Sequence, residues 1–329
     1  MKRVYIYTGS IAFVLILLLF SLKSGAVSLS WPDVFYGLMG QADESTNVII
    51  QELRVPRLIL AFIIGAGLGI SGAALQGLLR NPLADPGILG ISSASGLGGV
   101  IAVYYGLSAS FSFALPIMAI AFGGLATIVL VIMASRDASV LTLILAGVAI
   151  SSIAGAMTSL AMSMAPTPLS LQEMIMWMLG SLENRSMTDV QLAVPFILIG
   201  IAMIIPTAKS LSTLVLGEDV AKSLGINLSK TRNLIVFGSA ACVGAGVAVA
   251  GMIGFIGLIV PHLVRPYVGH DPGRSLIPSA LLGGLFLLLA DMIARQPIVQ
   301  AELRLGVITA MVGAPFFLWI IFKTRESMR

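Results

Sequence analysis

Residues 11–20 read IAFVLILLLF, ten apolar residues with no polar position among them. A transmembrane β-strand alternates apolar and polar residues, so an unbroken run of this kind belongs to a helix. The totals agree. Of 329 residues, 57% are hydrophobic and only 10% charged, and the mean hydropathy is +1.02. A soluble domain carries about a quarter charged residues, so this chain cannot clothe itself for water. The class is an all-α, polytopic membrane protein. The opening MKRVYIYTGS has the charge pattern of a signal peptide, but no small-x-small cleavage site follows and many more apolar runs do. It is read as the start of a retained first span.

A span takes roughly 20 apolar residues. Strong candidates are 4–22, 57–78, 111–134, 140–164, 189–208, 232–251, 276–296 and 305–322. Two weaker ones are 89–106, rich in Gly and Ser, and 254–268, broken by Pro261, His262 and Arg265. Together they give about ten spans in a single transmembrane domain, 1–329, with polar gaps at 27–53, 165–188 and 209–231. With the first end inside, thirteen of the 19 Lys and Arg residues fall on the cytoplasmic side, and only Lys23, Arg54, Arg57, Arg185, Arg295 and Arg304 fall outside. Cytoplasmic loops hold the excess of basic residues, so both termini are expected in the cytoplasm, the membrane being the cell inner membrane.

That orientation puts STLVLGEDVAKSLGIN (212–227) in the cytosol. Two acids, a lysine and leucines at helical spacing make it a short amphipathic helix. Its mixed charge suits contact with another protein better than the basic face of a helix lying on lipid. Small residues three and four apart in GAGLGISGAALQG (65–77) and GAGVAVAGMIGFIG (244–257) permit close helix packing in a transporter or channel. They follow no strand and make no dinucleotide site. The lone Cys242 reads as a small buried hydrophobe.

Catalytic signatures are missing. His262 and His270 form no metal-ligand pair, no G-x-S-x-G occurs, and GEDVAKS (217–223) lacks the second glycine of a phosphate loop. Uphill transport would need an ion gradient or a separate ATPase. An ion-coupled carrier needs an ionisable group at membrane depth. Asp291 is the candidate, yet Arg295 lies four residues on, on the same helix face, where the two neutralise each other. A channel or structural membrane subunit is the third reading.

Several motifs in order carry a resemblance: ELRVPRLILAFIIGAGLGISGAALQGLLRNPLADPGILGIS (52–92), MWMLGSL (176–182), LGEDVAKSLGIN (216–227), GMIGFIGLIVPHLVRPYVG (251–269), LLLADMIAR (287–295) and AELRLGVITAMVGAPFFLWIIFK (301–323). From about residue 50 to the end the chain resembles the FecCD family, membrane subunits of type II ATP-binding-cassette importers that include the vitamin B12 importer permease. The resemblance implies a ten-span fold and a permease dimer, a homodimer for a chain holding one complete unit. It also implies an ATPase pair carrying ATP and Mg, an extracytoplasmic substrate-binding protein, and no cofactor on this chain. The implied cargo is an iron chelate, with ferric siderophore ahead of haem or vitamin B12.

The resemblance also implies site residues. Gly217–Gly225 matches the coupling helix that enters a cleft of the ATPase, with Val220, Ala221 and Leu224 inward and Glu218, Asp219 and Lys222 on the rim. Arg54, Arg57 and Arg295 match arginines that pair with acids of the binding protein, where a guanidinium fork suits a carboxylate. The other reading is ordinary interfacial anchors. The cytoplasmic gate falls on Asn81 and Leu83 of RNPLADPG and on Ser139 and Val140 of RDASVLTL, with Pro82 and Pro86 stiffening the first loop. The family pattern Leu-Pro-x-Gly is LRLG here (303–306), so Arg304 replaces the proline. Either the last helix starts differently, or a further docking charge is present. Met157, Met162, Met164, Met174, Met176 and Met178 suit either a pathway lining or plain packing.

Overall fold

Local signals at the helix ends account for most of the element boundaries. The computed structural model describes residues 14, 16–25, 27–111, 113–134, 140–296 and 302–327. A helical segment ends at Lys23. Ser30 then opens α1 (Trp31–Leu38) with a reciprocal capping box to Asp33, which satisfies two backbone donors a helix start leaves free. Asp43 caps α2 (Glu44–Val48). Its carboxyl is pulled down to about 2 by the Ser45 and Thr46 hydroxyls and the Thr46 backbone N–H. A π-helical turn, Ile49–Arg54, carries α2 into α3 (Val55–Leu78).

After a 3-10 turn at Pro86–Leu89 come α4 (Ile91–Tyr104), α5 (Leu107–Ser110), α6 (Ala114–Ala134) and α7 (Val140–Ser163). Then follow α8 (Pro168–Leu179), α9 (Met187–Ile204), α10 (Ala208–Leu214) and α11 (Glu218–Ser223). The chain closes with α12 (Leu228–Ala250), α13 (Ile256–Val264), α14 (Pro272–Ala294) and α15 (Leu305–Ser327). Asn227 and Asp271 cap α12 and α14 through their side-chain oxygens. No strand occurs among the described residues.

Six helical stretches are long and apolar enough to cross a membrane, and Ile91–Tyr104, Ile256–Val268 and Leu305–Trp319 are shorter apolar ones. Apolar helices thus stand at every run read from 57 to 322, those at both weak runs and at the last being shorter than a full span, so the count of ten spans is not reached among the described residues. The first expected span, 4–22, lies largely outside the described residues. The polar gaps are structured, holding α1, α2, α8, α10 and α11.

The stretch containing α3 is central. Its most apolar window is 78% buried, against 28% for α7 and 28% for the stretch containing α9. It packs on α14 above all, and on α13, α9 and α12, while α6 covers α4 and α12. The α3–α14 contact is backbone on backbone. A Cβ on Gly65 would lie 2.3 Å from the Gly283 carbonyl oxygen, and one on Gly69 would lie 2.1 Å from that of Ser279. Lipid gives helices no hydrophobic reason to associate, so close van der Waals approach must hold them.

Gly69→Val should therefore lower the detergent melting temperature sharply, overpacking costing about 1–3 kcal/mol or more. Gly124→Ala, where a Cβ meets nothing within 4 Å, should leave it unchanged. Equal melts would refute the close-packing account.

Candidate functional site

At one end of the bundle, α3 and α14 bring charges together inside the protein. Arg54 ends the π-helical turn and Arg57 lies three residues on, in the first turn of α3. Asp291 on α14 is fully buried. Its Oδ1 accepts from Arg57 Nε at 2.9 Å and its Oδ2 from Arg295 Nε at 2.8 Å. Arg57 then forks onto Glu302, with Nη2–Oε2 at 2.7 Å and Nη1–Oε1 at 3.1 Å. Arg295 also donates to the Ser21 hydroxyl at 2.9 Å. Arg54 donates to the carbonyls of Leu22, Lys23 and Val27, tying the first helix to the bundle.

The three arginines picked from sequence thus share one site. They are not exposed rim charges, however: all three are buried and hold acceptors within the chain. A cavity of about 210 Å³ opens beside them, lined also by Arg185, Glu183 and Glu302. Arg304 lies on the same end, 3.2 Å from Glu183. The last helix begins immediately after it, at Leu305. The sequence reading paired Asp291 with Arg295 and missed Glu302, which sits two residues before Arg304 and reveals nothing by spacing.

At the opposite end, Gly217 (φ +106°) and Gly225 (φ +83°) turn the chain at either side of α11, a conformation costly for side-chain-bearing residues. Val220 and Leu224 are exposed, as are Val215 and Leu216 just before the helix, while Ala221 is fully buried against the chain's own core. The outward apolar set is therefore Val215, Leu216, Val220 and Leu224, and Ala221 is corrected to an anchor. Burial of one small residue per turn leaves the flanking large ones facing out.

Glu218 reaches Arg80 at 3.3 Å, and Arg80 itself takes φ +48°. Four residues before Arg80, Gln76 donates to the carbonyls of Gly257 and Leu258 and accepts from Arg265 at 2.8 Å. In the following turn the Asn81 side chain accepts from the Leu83 N–H at 2.9 Å, and both residues are exposed. Burial pushes the Asp85 carboxyl up, partly offset by the Gly87 N–H it accepts. Val140 is the first residue of α7; Ser139 lies outside the described residues. Ser212 on α10 donates to Asp271, the cap of α14. Burial raises that carboxyl, but the Ser212 hydroxyl and the backbone donors of Arg274 and Gly273 outweigh it and hold it low.

Between the two ends an open, apolar groove of about 510 Å³ is lined by Met178, Met252, Phe255, Val307 and Met311. Of the six methionines noted in sequence, Met178 reaches this groove. Met174 is buried, and Met157, Met164 and Met176 are exposed. Among the described residues no group of three His, Cys, Asp or Glu could hold a metal, and His262 packs edge-on against Phe316.

Asp291→Asn removes the charge that two guanidiniums share. Breaking a buried pair costs about 3–5 kcal/mol, so the purified chain should melt far lower in detergent. A melt within a degree of the parent would show that the cluster does not hold the fold.

The comparisons with known proteins agree with this architecture. The model of the FecCD transport family matches residues 13–323. The Fe(3+)-citrate import system permease protein YfmE of Bacillus subtilis is 37% identical over 99% of this chain and 98% of its own. The vitamin B12 import system permease protein BtuC of Citrobacter koseri is 39% identical over 85% of this chain and 84% of its own. A solved inward-facing structure, described as a metal-chelate type ABC transporter, superposes with a TM-score of 0.86 at 33% identity, covering 97% of this chain and 99% of that one. The relatives are membrane permeases and not enzymes, and on this match the chain belongs to the FecCD transport family.

Proposed function

We propose that the chain is the membrane permease of a type II ATP-binding-cassette importer, carrying ferric siderophore across the cell inner membrane. The carrying observation is the turn at Val215–Leu224. It displays four large apolar side chains at one end of the bundle, on and just before a short helix whose Ala221 is buried in the chain's own core. Exposed apolar residues of this kind on an ordered helix outside the spans suit a groove on another protein. The partner is the ATPase, which binds ATP and Mg; this chain needs no cofactor of its own.

The rest of the geometry supports the same reading. Arg80–Glu218 links α11 to the turn bearing Asn81 and Leu83, which with Ser139 and Val140 forms the gate. The cavity at Arg54, Arg57 and Arg295 takes acidic side chains of the binding protein, on the outer face. The open groove at Met178, Met252 and Met311 becomes an enclosed pathway only when a second copy covers it, which favours a homodimer. Soft thioethers suit a bulky chelate. Iron citrate is the cargo in YfmE's name and vitamin B12 in BtuC's. Cobalamin and haem, the latter in the name of the hemin transport system permease protein HmuU of Yersinia pestis, are the competing cargoes.

Leu224→Glu places a charge on the outward face of α11 without touching the core. It should abolish co-purification of the ATPase while the permease elutes and melts as before. Undiminished ATPase binding would remove the coupling assignment.

A further inference from the structure

Two guanidiniums, Arg57 and Arg295, are held by two carboxylates, Asp291 and Glu302, while the neighbouring Arg54 donates to the backbone carbonyls of Leu22, Lys23 and Val27. The two acids are held very differently. Asp291 is 0% exposed and fixed from both sides, whereas the Glu302 side chain is 31% exposed at the mouth of the cavity. A buried, doubly bonded carboxylate cannot leave without stranding two charges. Glu302, partly exposed, regains water when it leaves, and an incoming carboxylate would keep the buried Arg57 paired.

Glu302 also stands just before the start of α15. Two residues on, Arg304 pairs with Glu183, and the Leu305 N–H donates to the Gly180 carbonyl at 3.0 Å. Next comes Gly306, where a Cβ would lie 2.5 Å from the Leu179 carbonyl oxygen. The first turn of α15 is thereby seated on the end of α8 and beside Met252, at the rim of the apolar groove. Phe255, on the same groove, is held at φ +69°, a conformation that persists in a bulky residue only when its surroundings enforce it.

We propose that Glu302 is a built-in stand-in for the partner's carboxylate. An acidic side chain of the binding protein displaces it from the Arg57 fork, and the released Glu302 frees the start of α15 to move at the groove. This rests on the docking reading given above and adds to it the identity of the competitor and the path from docking to the groove. It also gives a reason for burying the arginines: in the resting chain the fork is already satisfied, so only an acid of matching geometry replaces Glu302.

The test uses the assembled transporter in nanodiscs and its own binding protein, immobilised, with binding followed by interferometry. Glu302→Gln should tighten binding about five-fold, because the internal competitor loses its charge, and Arg57→Gln should weaken it at least ten-fold. Neutralising the binding protein's docking acids leaves the permease untouched and should erase the gain from Glu302→Gln. A fluorophore at Val307→Cys, in a Cys242→Ala background, should shift its emission on docking in the parent and show that shift without binding protein in Glu302→Gln. If Arg57→Gln and acid neutralisation leave binding unchanged, the docking reading itself fails. If they weaken it while Glu302→Gln does not tighten it, docking stands and the exchange is refuted.

Discussion

One buried carboxylate organises this protein. Asp291 accepts from Arg57 on one side and Arg295 on the other, joining the central helix to the helix it packs against most closely. Without it Arg295 would be a buried guanidinium with no acidic partner bonded to it, and Arg57 would keep Glu302 alone. Each of its oxygens is bonded to a guanidinium held in place by further contacts, which is the geometry of a structural counter-ion. A chain that seemed to offer one candidate for ion coupling has used that residue as a structural counter-ion.

The close approach of α3 and α14 follows from the same economy. Apolar area alone does not bring helices together in lipid, so glycines at Gly65, Gly69 and Gly283 let backbones touch, and the ion cluster closes the contact at its end. At the other end of α3, Gln76 bonds to α13 and Arg80 to α11. The central helix therefore carries polar ties at both ends and smooth apolar contact between. Arg80 thereby joins α11 to the turn at Asn81–Leu83.

Much of this was legible in the sequence, for physical reasons. Runs from 57 to 322 announce themselves because lipid demands long apolar stretches; of the weak pair, 89–106 is helical through close packing at its glycines, and 254–268 is helical although Pro261 stands inside it. Asp291 and Arg295 were found because helical spacing fixes their neighbourhood. Glu302 was not, since its partner Arg57 lies 245 residues away in the chain and no periodicity relates them. The burial of Arg54 and Arg57 was missed for the same reason: sequence shows which end of a span holds a charge, not whether that charge faces water. Ala221 turned out to face inward because a six-residue helix is too short for its periodicity to define a face.

The central claim is that the fold stores charge for structure and draws its energy from a separate ATPase. The most direct measurement is uptake of a ferric siderophore into proteoliposomes holding this chain, its ATPase and its binding protein, with and without a protonophore. The account predicts uptake that requires ATP on the ATPase side and is unchanged when the proton gradient is collapsed. Uptake that follows an imposed proton gradient in the absence of ATP would contradict it.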